Sequence, residues 1–166
     1  MSAIDIATIK TNIKNVLDTN NTTTSSVLDL SSSMTQRVQK VLTVNPERIP
    51  LQASFFPCVT TYIESKTINH KDISRTALAA KKEAELSFKV VGMVWNHNWV
   101  DDLSDPADND IELLMENLEQ VLRSDPRLSN QVNWAIPQNT DYYITTLDEQ
   151  THMRAGVLDL KIKLFY

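Results

Sequence analysis

The chain has 166 residues, of which 42% are hydrophobic and 22% are charged, and its formal net charge is -5 with a pI near 5.1. This length and composition predict one globular domain that can bury a core, and the acidic balance argues against a protein that grips nucleic acid through clustered Lys and Arg. With only two glycines and the single cysteine Cys58, the chain has no phosphate-cradling loop, no intramolecular disulfide and no thiol cluster for zinc.

The N-terminal residues do not resemble a targeting segment. They lack the basic flank and continuous apolar run of a secretory signal. No apolar stretch approaches the ~20 residues that span a bilayer. The sequence therefore predicts a soluble protein that folds in the cytosol and has no membrane partner.

An amphipathic helix is predicted at residues 4–17, where apolar side chains recur every three or four positions. Residues 18–36 follow as a polar linker, because the stretch DTNNTTTSS gains too little burial to order itself. The helix can dock on its own domain or on a neighbouring subunit, and we favour its own. The remaining residues, 37–166, are expected to form the body of the domain.

The first half of the body predicts two strands and a long loop. Residues 37–44 are β-rich and end at a proline, and residues 58–64 carry the β-branched and aromatic side chains that suit a pleated surface. Residues 65–82 include five basic side chains with little regular pattern. A connection of that length is usually functional or mobile.

The most regular strand is predicted at residues 83–97, where alternate side chains are apolar. From Val91 onward the second face also becomes apolar, with Met93 and Trp95. That half of the strand must be covered on both faces, by the chain itself or by another subunit. An acidic loop then leads to a helix at residues 108–123, whose apolar stripe is expected to lie on the core face of the strand.

The C-terminal part predicts three more strand segments. Residues 132–137 and 141–147 suggest two short strands or a hairpin, and the last residues alternate strictly from Leu158 to Tyr166. The summed pattern predicts an α+β fold: a mixed or antiparallel sheet with a long helix packed on one face and an additional N-terminal helix.

The side chains that could carry chemistry are scattered. His70, His97 and His152 are far apart in sequence, so we expect surface or strand-edge histidines and no metal site. The acidic loop lacks the glycine and the spacing of a calcium loop, and a solvated loop that caps the helix is the better interpretation. Cys58 and His70 are a formal nucleophile and base, but a single thiol in a β-rich run is usually just buried. No catalytic, cofactor or metal site is predicted.

Several segments together resemble the tail terminator (tail completion) proteins of tailed bacteriophages, over roughly residues 37–166. The segments are FFPCVTTYIE, ELSFKVVGMVW, the helix DIELLMENLEQVLRSDPRL and the closing YYITTLDEQTHMRAGVLDLKIKLFY. The most characteristic part is the helix that ends in VLRSDPRL, followed by strands and by a last strand that starts with a basic residue and small residues. These are patterns of structure, with no catalytic signature among them.

The resemblance implies a structural virion protein that is not an enzyme. Members of this family form a homohexameric ring that caps the tail tube, and the sheath in contractile tails, and that offers a docking surface to the head-side neck or connector protein. The chain would then be made and assembled in the host bacterial cytoplasm. DNA would pass through the ring without specific binding.

A ring subunit needs two different surfaces that meet head to tail. The basic loop 65–82 is a candidate for one surface and the acidic loop of the next subunit for the other, while large rigid aromatic side chains suit the apolar part of an interface. Trp134 is a third tryptophan that could fill a core or an interface. The candidate interface residues are Lys71, Arg75, Trp95, Trp99, Asp101, Asp102 and Asp105.

Two alternatives remain open. Another neck component, such as a stopper or connector adaptor, would share the acidic, ring-building character and would differ in the partner it binds. A small metal-dependent hydrolase that uses His97 with Asp101 or Asp102 would hold a metal and lose activity on chelation, but the sequence offers no second cluster to complete such a site.

Overall fold

The computed structural model describes residues 5–22, 29–70, 82–96, 106–146 and 152–165. In this part of the chain, two helices lie on a five-stranded mixed sheet, which confirms the predicted α+β class. The sheet order is β1-β2-β3-β5-β4; β1 runs parallel to β2, and the other neighbours are antiparallel. The elements are α1 (Ile6–Thr19), β1 (Lys40–Leu42), β2 (Cys58–His70), β3 (Lys82–Asn96), α2 (Pro106–Ser124), β4 (Trp134–Thr146) and β5 (His152–Phe165).

The central strand β3 and the helix α2 form the middle of the core, as predicted. Leu86, Phe88 and Val90 of β3 are fully buried, and so are Leu114 and Leu118 on the apolar stripe of α2. Alternation on the strand and three-four spacing on the helix each produce one apolar surface, and the two surfaces cover each other.

The second face of β3 is covered by the chain itself. Val91 and Met93 pack with Ile49 and Phe56, which lie in the segment between β1 and β2. That segment contains two short 3-10 turns and crosses the sheet on the side opposite the helices. The apolar residues on both faces of this strand are thus explained without a second subunit.

The N-terminal helix docks on its own chain. Asp5 caps α1, because its side chain accepts a hydrogen bond from the Thr8 backbone N–H at 3.1 Å. Ile9, Ile13 and Leu17 are buried in the same core as α2. The apolar stripe of this helix therefore finds its partner surface within the domain, as we favoured from the sequence.

The second half of the expected linker 18–36 is packed against α2, which corrects the sequence-based interpretation. Leu30 is fully buried in the core. The buried Asp110 carboxylate accepts a hydrogen bond from the Thr35 backbone N–H at 2.7 Å, and the Asn117 side-chain amide donates to the Leu30 carbonyl at 3.1 Å. Polar side chains on the helix satisfy the backbone of this stretch, so it does not need strand or helix structure to be ordered.

The strand predicted at 37–44 is much shorter than expected, since β1 covers only three residues. Beyond it, at Val38 and Val44, the backbone N–H groups bond to side-chain oxygens and not to backbone carbonyls of β2. Val38 donates to Ser31 Oγ at 2.9 Å, and Val44 donates to Thr60 Oγ1 at 3.2 Å. The backbone pairing between β1 and β2 is therefore limited to Lys40–Leu42.

The basic loop predicted at 65–82 begins later than expected. Strand β2 continues through residues 65–70, paired with β3 from Ser87 to Lys82 after a register shift near Ile63. The side chains from Ser65 to Asn69 are all exposed. Buried and exposed positions therefore do not alternate here, and the sequence gives no strand pattern. Residues 71–81 lie outside the described part of the chain.

The two short strands predicted near residues 132–147 are one strand. Strand β4 runs from Trp134 to Thr146 and pairs with β5, with a shift in register between Pro137 and Thr140; Leu147 lies outside the described residues. Proline cannot donate to the ladder, and such an irregularity accommodates it in an edge strand. The strictly alternating C-terminal strand is confirmed as β5.

Candidate assembly surface

Of the predicted interface residues, the described part of the chain includes only Trp95. Its ring is half-buried on the second face of the sheet, with the Phe56 ring centroid 5.1 Å away at an interplanar angle of 41°. Part of this side chain is thus already used in packing within the subunit. The other candidates, Lys71, Arg75, Trp99, Asp101, Asp102 and Asp105, lie outside the described residues.

The structure argues against the formal nucleophile and base. Cys58 is fully buried, and desolvation raises the pKa of its thiol to about 12, so the reactive thiolate is disfavoured at neutral pH. Cys58 and His70 stand at opposite ends of the thirteen-residue strand β2, about 40 Å apart at the usual rise per residue. They cannot act on one substrate within a single subunit.

Metal-ligating side chains do not gather in the ranges that the structure describes: no group of three or more His, Cys, Asp or Glu there is placed to hold an ion. His152, expected at the surface or a strand edge, is buried at the first position of β5, an interior strand of the sheet. The side chain of His70 and all of His97 lie outside the described residues.

The second face of the sheet carries a set of paired charges beyond the apolar cluster. Lys89 Nζ lies 2.5 Å from Asp159 Oδ1 and 3.4 Å from Glu64 Oε1. The hydrogen bond to Asp159 raises the pKa of Lys89 above its ordinary value. Two further cross-strand pairs continue this pattern, Lys161 with Glu85 and Lys163 with Glu83. Charges on this face largely neutralise one another.

A groove lies on the other face, between α2 and the edge strand β4. The helix-facing row of β4 is buried at Ala135, but the same row further along is open at Tyr142 and Ile144, which are 54% and 56% exposed. Two adjoining cavities of about 320 and 170 Å³ occupy the space between this row and the helix, and both are lined by Glu112 and Tyr142. We call this space the α2/β4 groove.

The helix wall of the α2/β4 groove is acidic. Glu112, Glu116 and Glu119 follow one another at helical spacing and line the larger cavity. Partial desolvation of the Tyr142 phenol is the largest cause that raises its pKa, and these three carboxylates raise it further. Glu119 pairs with Arg123 at 2.8 Å, whereas Glu112 and Glu116 have no ion-pair partner among the described residues. The groove is therefore negatively charged over an aromatic floor.

An ion pair stands at one end of the α2/β4 groove. Arg154 Nε of β5 lies 2.6 Å from Asp108 Oδ1, in the first turn of α2, and both residues line the smaller cavity. The cross-strand neighbour of Arg154 on β4 is Ile144. The pair thus links the helix to the sheet at this end of the groove.

This groove was not among the sequence-based candidates. Carboxylates on the polar side of an amphipathic helix are usually solvated, so their presence alone does not indicate a site. Two signals in the sequence could have indicated more: three carboxylates with a common helical face, and the apolar Tyr142-Tyr143-Ile144 run in a strand that is exposed on both sides. Continuous apolar residues on an edge strand are a feature of interaction surfaces.

None of the helices in the described ranges combines the length and apolar character that a membrane crossing requires.

Comparison with known proteins adds little to these observations. No protein-family model matches the chain, and no curated protein matches its sequence. Among solved structures, the chain is similar to one from the virion of a native gene transfer agent (GTA) particle, with a TM-score of 0.38 and 7% identity over 97% of this chain and 99% of that chain. A likeness at that TM-score carries no argument about the function of this protein.

Proposed function

We propose that this protein is a structural component of a phage-like virion, and specifically a tail terminator. In this role it forms a hexameric ring that caps the tail tube, together with the sheath if the tail is contractile, and it presents a docking surface to the head-side neck or connector protein. The observation that carries the proposal is the match between the resemblance and the fold. The segments on which the resemblance depends fall on β2, β3, α2, β4 and β5, which form one sheet with a helix across it.

The distribution of surface properties supports an assembly role. Closed rings of identical subunits need two unlike surfaces on each subunit. Acidic side chains and exposed aromatic residues gather at the β4 edge of the sheet. Basic residues gather instead in the stretch 65–82, at the β2–β3 end. A contact between these two ends of neighbouring subunits would be heterologous, as a ring requires.

The subunit contact that we proposed from the sequence joins the basic stretch to the acidic loop before α2. Lys71 and Arg75 of one subunit would face Asp101, Asp102 and Asp105 of the next. Opposite charges at such a contact speed association and fix its orientation. Trp95, which is half-buried, and Trp99 would supply apolar area beside the charges.

Charge reversal tests this contact. The double variant Lys71→Glu/Arg75→Glu is expected to weaken the ring, because it places like charges opposite each other; we expect the dissociation constant between subunits to rise roughly tenfold or more. Multi-angle light scattering over a concentration series measures the change. As a matched control, Lys10→Glu/Lys14→Glu makes the same change in net charge on a different element, the helix α1. Unchanged assembly of the first variant would contradict the proposed contact.

The overall charge suits a ring through which DNA passes. Six copies at -5 each carry a formal charge of -30. Phosphates are repelled by such a surface rather than retained on it. We therefore expect no specific binding of DNA.

Purified protein tests the proposed function directly. We expect a ring of six subunits in negative-stain images, a matching mass by light scattering, and binding to the ends of tail tubes. A ring that binds the head-side connector and ignores tube ends would indicate a stopper or connector adaptor instead. A protein that stays monomeric at all concentrations would refute both assignments.

A further inference from the structure

The α2/β4 groove has the features of a site that another chain fills. β4 is the last strand of the sheet, so its outer backbone edge has no neighbouring strand in the described structure. The register shift after Pro137 marks the point where its helix-facing row changes from buried to open. Beyond that point Thr140, Tyr142 and Ile144 form a floor that α2 leaves uncovered.

The chemistry of the groove defines its occupant. Glu112 and Glu116 are exposed and have no cationic partner among the described residues, and they stand above an aromatic and aliphatic floor. A binding segment must therefore offer basic side chains to the helix and apolar side chains to the strand. An extended segment beside an open strand edge can meet both requirements, since its side chains alternate between the two directions.

One stretch of this chain fits that description. Residues 71–81, KDISRTALAAK, carry three basic side chains and one acidic one, together with Ile73 and Leu78. The stretch joins β2 to β3 and is flanked by two further lysines, Lys66 and Lys82.

The stretch cannot reach the groove of its own subunit. Its eleven residues start and end at the paired positions His70 and Lys82, so even when fully extended it reaches at most ~20 Å from that end of the ribbon. The floor residue Tyr142 is aligned through Gly156 with Gly92 of β3. Gly92 is ten residues from Lys82, which corresponds to ~33 Å along the strand.

We propose that the α2/β4 groove of each subunit binds residues 71–81 of a second copy of this chain. The proposal rests on the proposed ring and makes its subunit contact specific: the acidic acceptor extends from the loop before α2 along the Glu112 and Glu116 face of the helix, and Tyr142 lies beneath the incoming segment. Each subunit gives one segment and receives one, so the contact runs head to tail around the ring.

A charge-swap experiment on the full-length chain tests the proposal. The groove variant Glu112→Lys/Glu116→Lys places a basic groove opposite a basic segment, and the segment variant Lys71→Glu/Arg75→Glu places an acidic segment opposite an acidic groove. We expect each variant alone to associate at least roughly tenfold more weakly than the wild type. An equal mixture should regain rings of wild-type mass, because every contact becomes complementary when the two variants alternate, and six positions allow strict alternation.

Two controls accompany the charge swap. Glu112 and Glu116 are exposed and have no ion-pair partner in the part of the chain that the structure describes, so the groove variant should keep the far-UV circular dichroism and the thermal midpoint of the wild type. Glu47→Lys, an exposed glutamate in the segment between β1 and β2, changes charge away from the groove and should leave assembly unchanged.

A cross-link supplies a second readout that does not depend on weakening the ring. We expect Arg75→Cys/Glu116→Cys to form disulfides between subunits under mild oxidation, seen as a ladder on a non-reducing gel, while the buried Cys58 stays unreacted. Disulfides confined to single subunits, or none at all, would overturn the proposal.

The outcomes separate this inference from the proposed function. If the wild type forms rings but the groove variant assembles as well as the wild type, or the mixture fails to recover, the groove contact is wrong while the ring stands. If the wild type never associates, both proposals fail.

Discussion

Gly156 of β5 determines how closely α2 can approach the sheet. A Cβ atom at this position would lie 2.4 Å from Met115 Cγ and 2.6 Å from Met115 Sδ, both on the fully buried side chain of the helix. Its neighbour across the ladder, Gly92, has a similar role, with Met115 Sδ at 2.9 Å from the added atom. The two glycines thus form a shallow seat for one methionine, and they fix the height of the helix above the groove floor.

We expect Gly156→Ala to destabilise the fold by about 1–3 kcal/mol, the usual cost of overpacking. The entropic advantage of alanine, about 0.4–1 kcal/mol, is too small to offset the clash. Urea denaturation of the variant and the wild type measures the difference. The double variant Gly156→Ala/Met115→Ala should cost less than the sum of the two single variants, and strict additivity would show that the two side chains do not meet.

Tyr142 reports the electrostatics of the α2/β4 groove. Burial raises the pKa of its phenol above the ordinary value, and Glu112, Glu116 and Glu119 raise it further. The folded state favours the neutral phenol. The contribution of Tyr142 to the free energy of unfolding is therefore fully present at pH values below about 10, the pKa of tyrosine in the unfolded chain. That contribution is lost as the pH rises through the folded pKa.

Absorbance at 295 nm, taken as the difference between the wild type and Tyr142→Phe, should give a pKa for Tyr142 above that of free tyrosine. The variant Glu112→Gln/Glu116→Gln should lower that pKa without returning it to the ordinary value, since burial is the larger cause. An unchanged pKa in the glutamine variant would mean that the carboxylates do not face the ring.

At the scale of elements, residues 29–36 are held by α2 through two polar side chains. Asp110 accepts backbone hydrogen bonds from Thr35 and Gln36 at 2.7 and 3.1 Å, and Asn117 donates to the Leu30 carbonyl. The helix that covers the sheet thus also orders an irregular stretch that packs beside it. Asp110, near the start of α2, thus stabilises the tertiary structure by accepting hydrogen bonds from a distant segment.

The variant Asp110→Ala should cost about 2–4 kcal/mol, because it leaves two backbone N–H groups without an acceptor. Chemical denaturation measures the loss, and hydrogen exchange at Thr35 and Gln36 should become faster than in the wild type. Asp110→Asn keeps one acceptor oxygen and should lose less. Equal stability of the alanine variant and the wild type would contradict the role assigned to the carboxylate.

The elements that the sequence predicted well are those with a one-sided pattern. β3, β5 and α2 each bury one regular row of side chains, so periodicity located β3 and α2 closely and found the second half of β5, which begins at His152, six residues before the predicted alternation. Residues 65–70 were missed as strand because the exposed side chains of 65–69 form no such row, and only backbone pairing with β3 makes the stretch a strand. Residues 29–36 were missed because their partners, Asp110 and Asn117, are about 80 positions away.

The groove was harder to predict than the fold. In the sequence, the glutamates of its acidic wall look like any solvated residues of a helix. The residues of its floor look like any residues of a strand. The wall and the floor meet only because of the sheet order and the strand register. The order places β4 at the edge, and the register pairs Tyr142 with Gly156, next to α2. Neither strand order nor register follows from local pattern.

At the scale of the whole molecule, the long axis of β3 separates two unlike ends. The basic stretch leaves from the end at Lys82, and the acidic α2/β4 groove lies about ten residues further along the strand. If the two surfaces are complementary, as we propose, this distance prevents one subunit from joining them within itself. The contact would then run in one direction from each subunit to the next.

The interruption of β4 at Pro137 bears on how the exposed edge of the sheet avoids unwanted strand pairing. A continuous thirteen-residue edge would be a template on which further chains could stack without limit, a common origin of insoluble aggregates. Pro137 has no N–H to offer, and the irregularity between it and Thr140 breaks the edge into two shorter runs. Indiscriminate strand addition is thereby discouraged along the edge as a whole, and only the shorter run beside the glutamates remains for the segment that we propose to bind there.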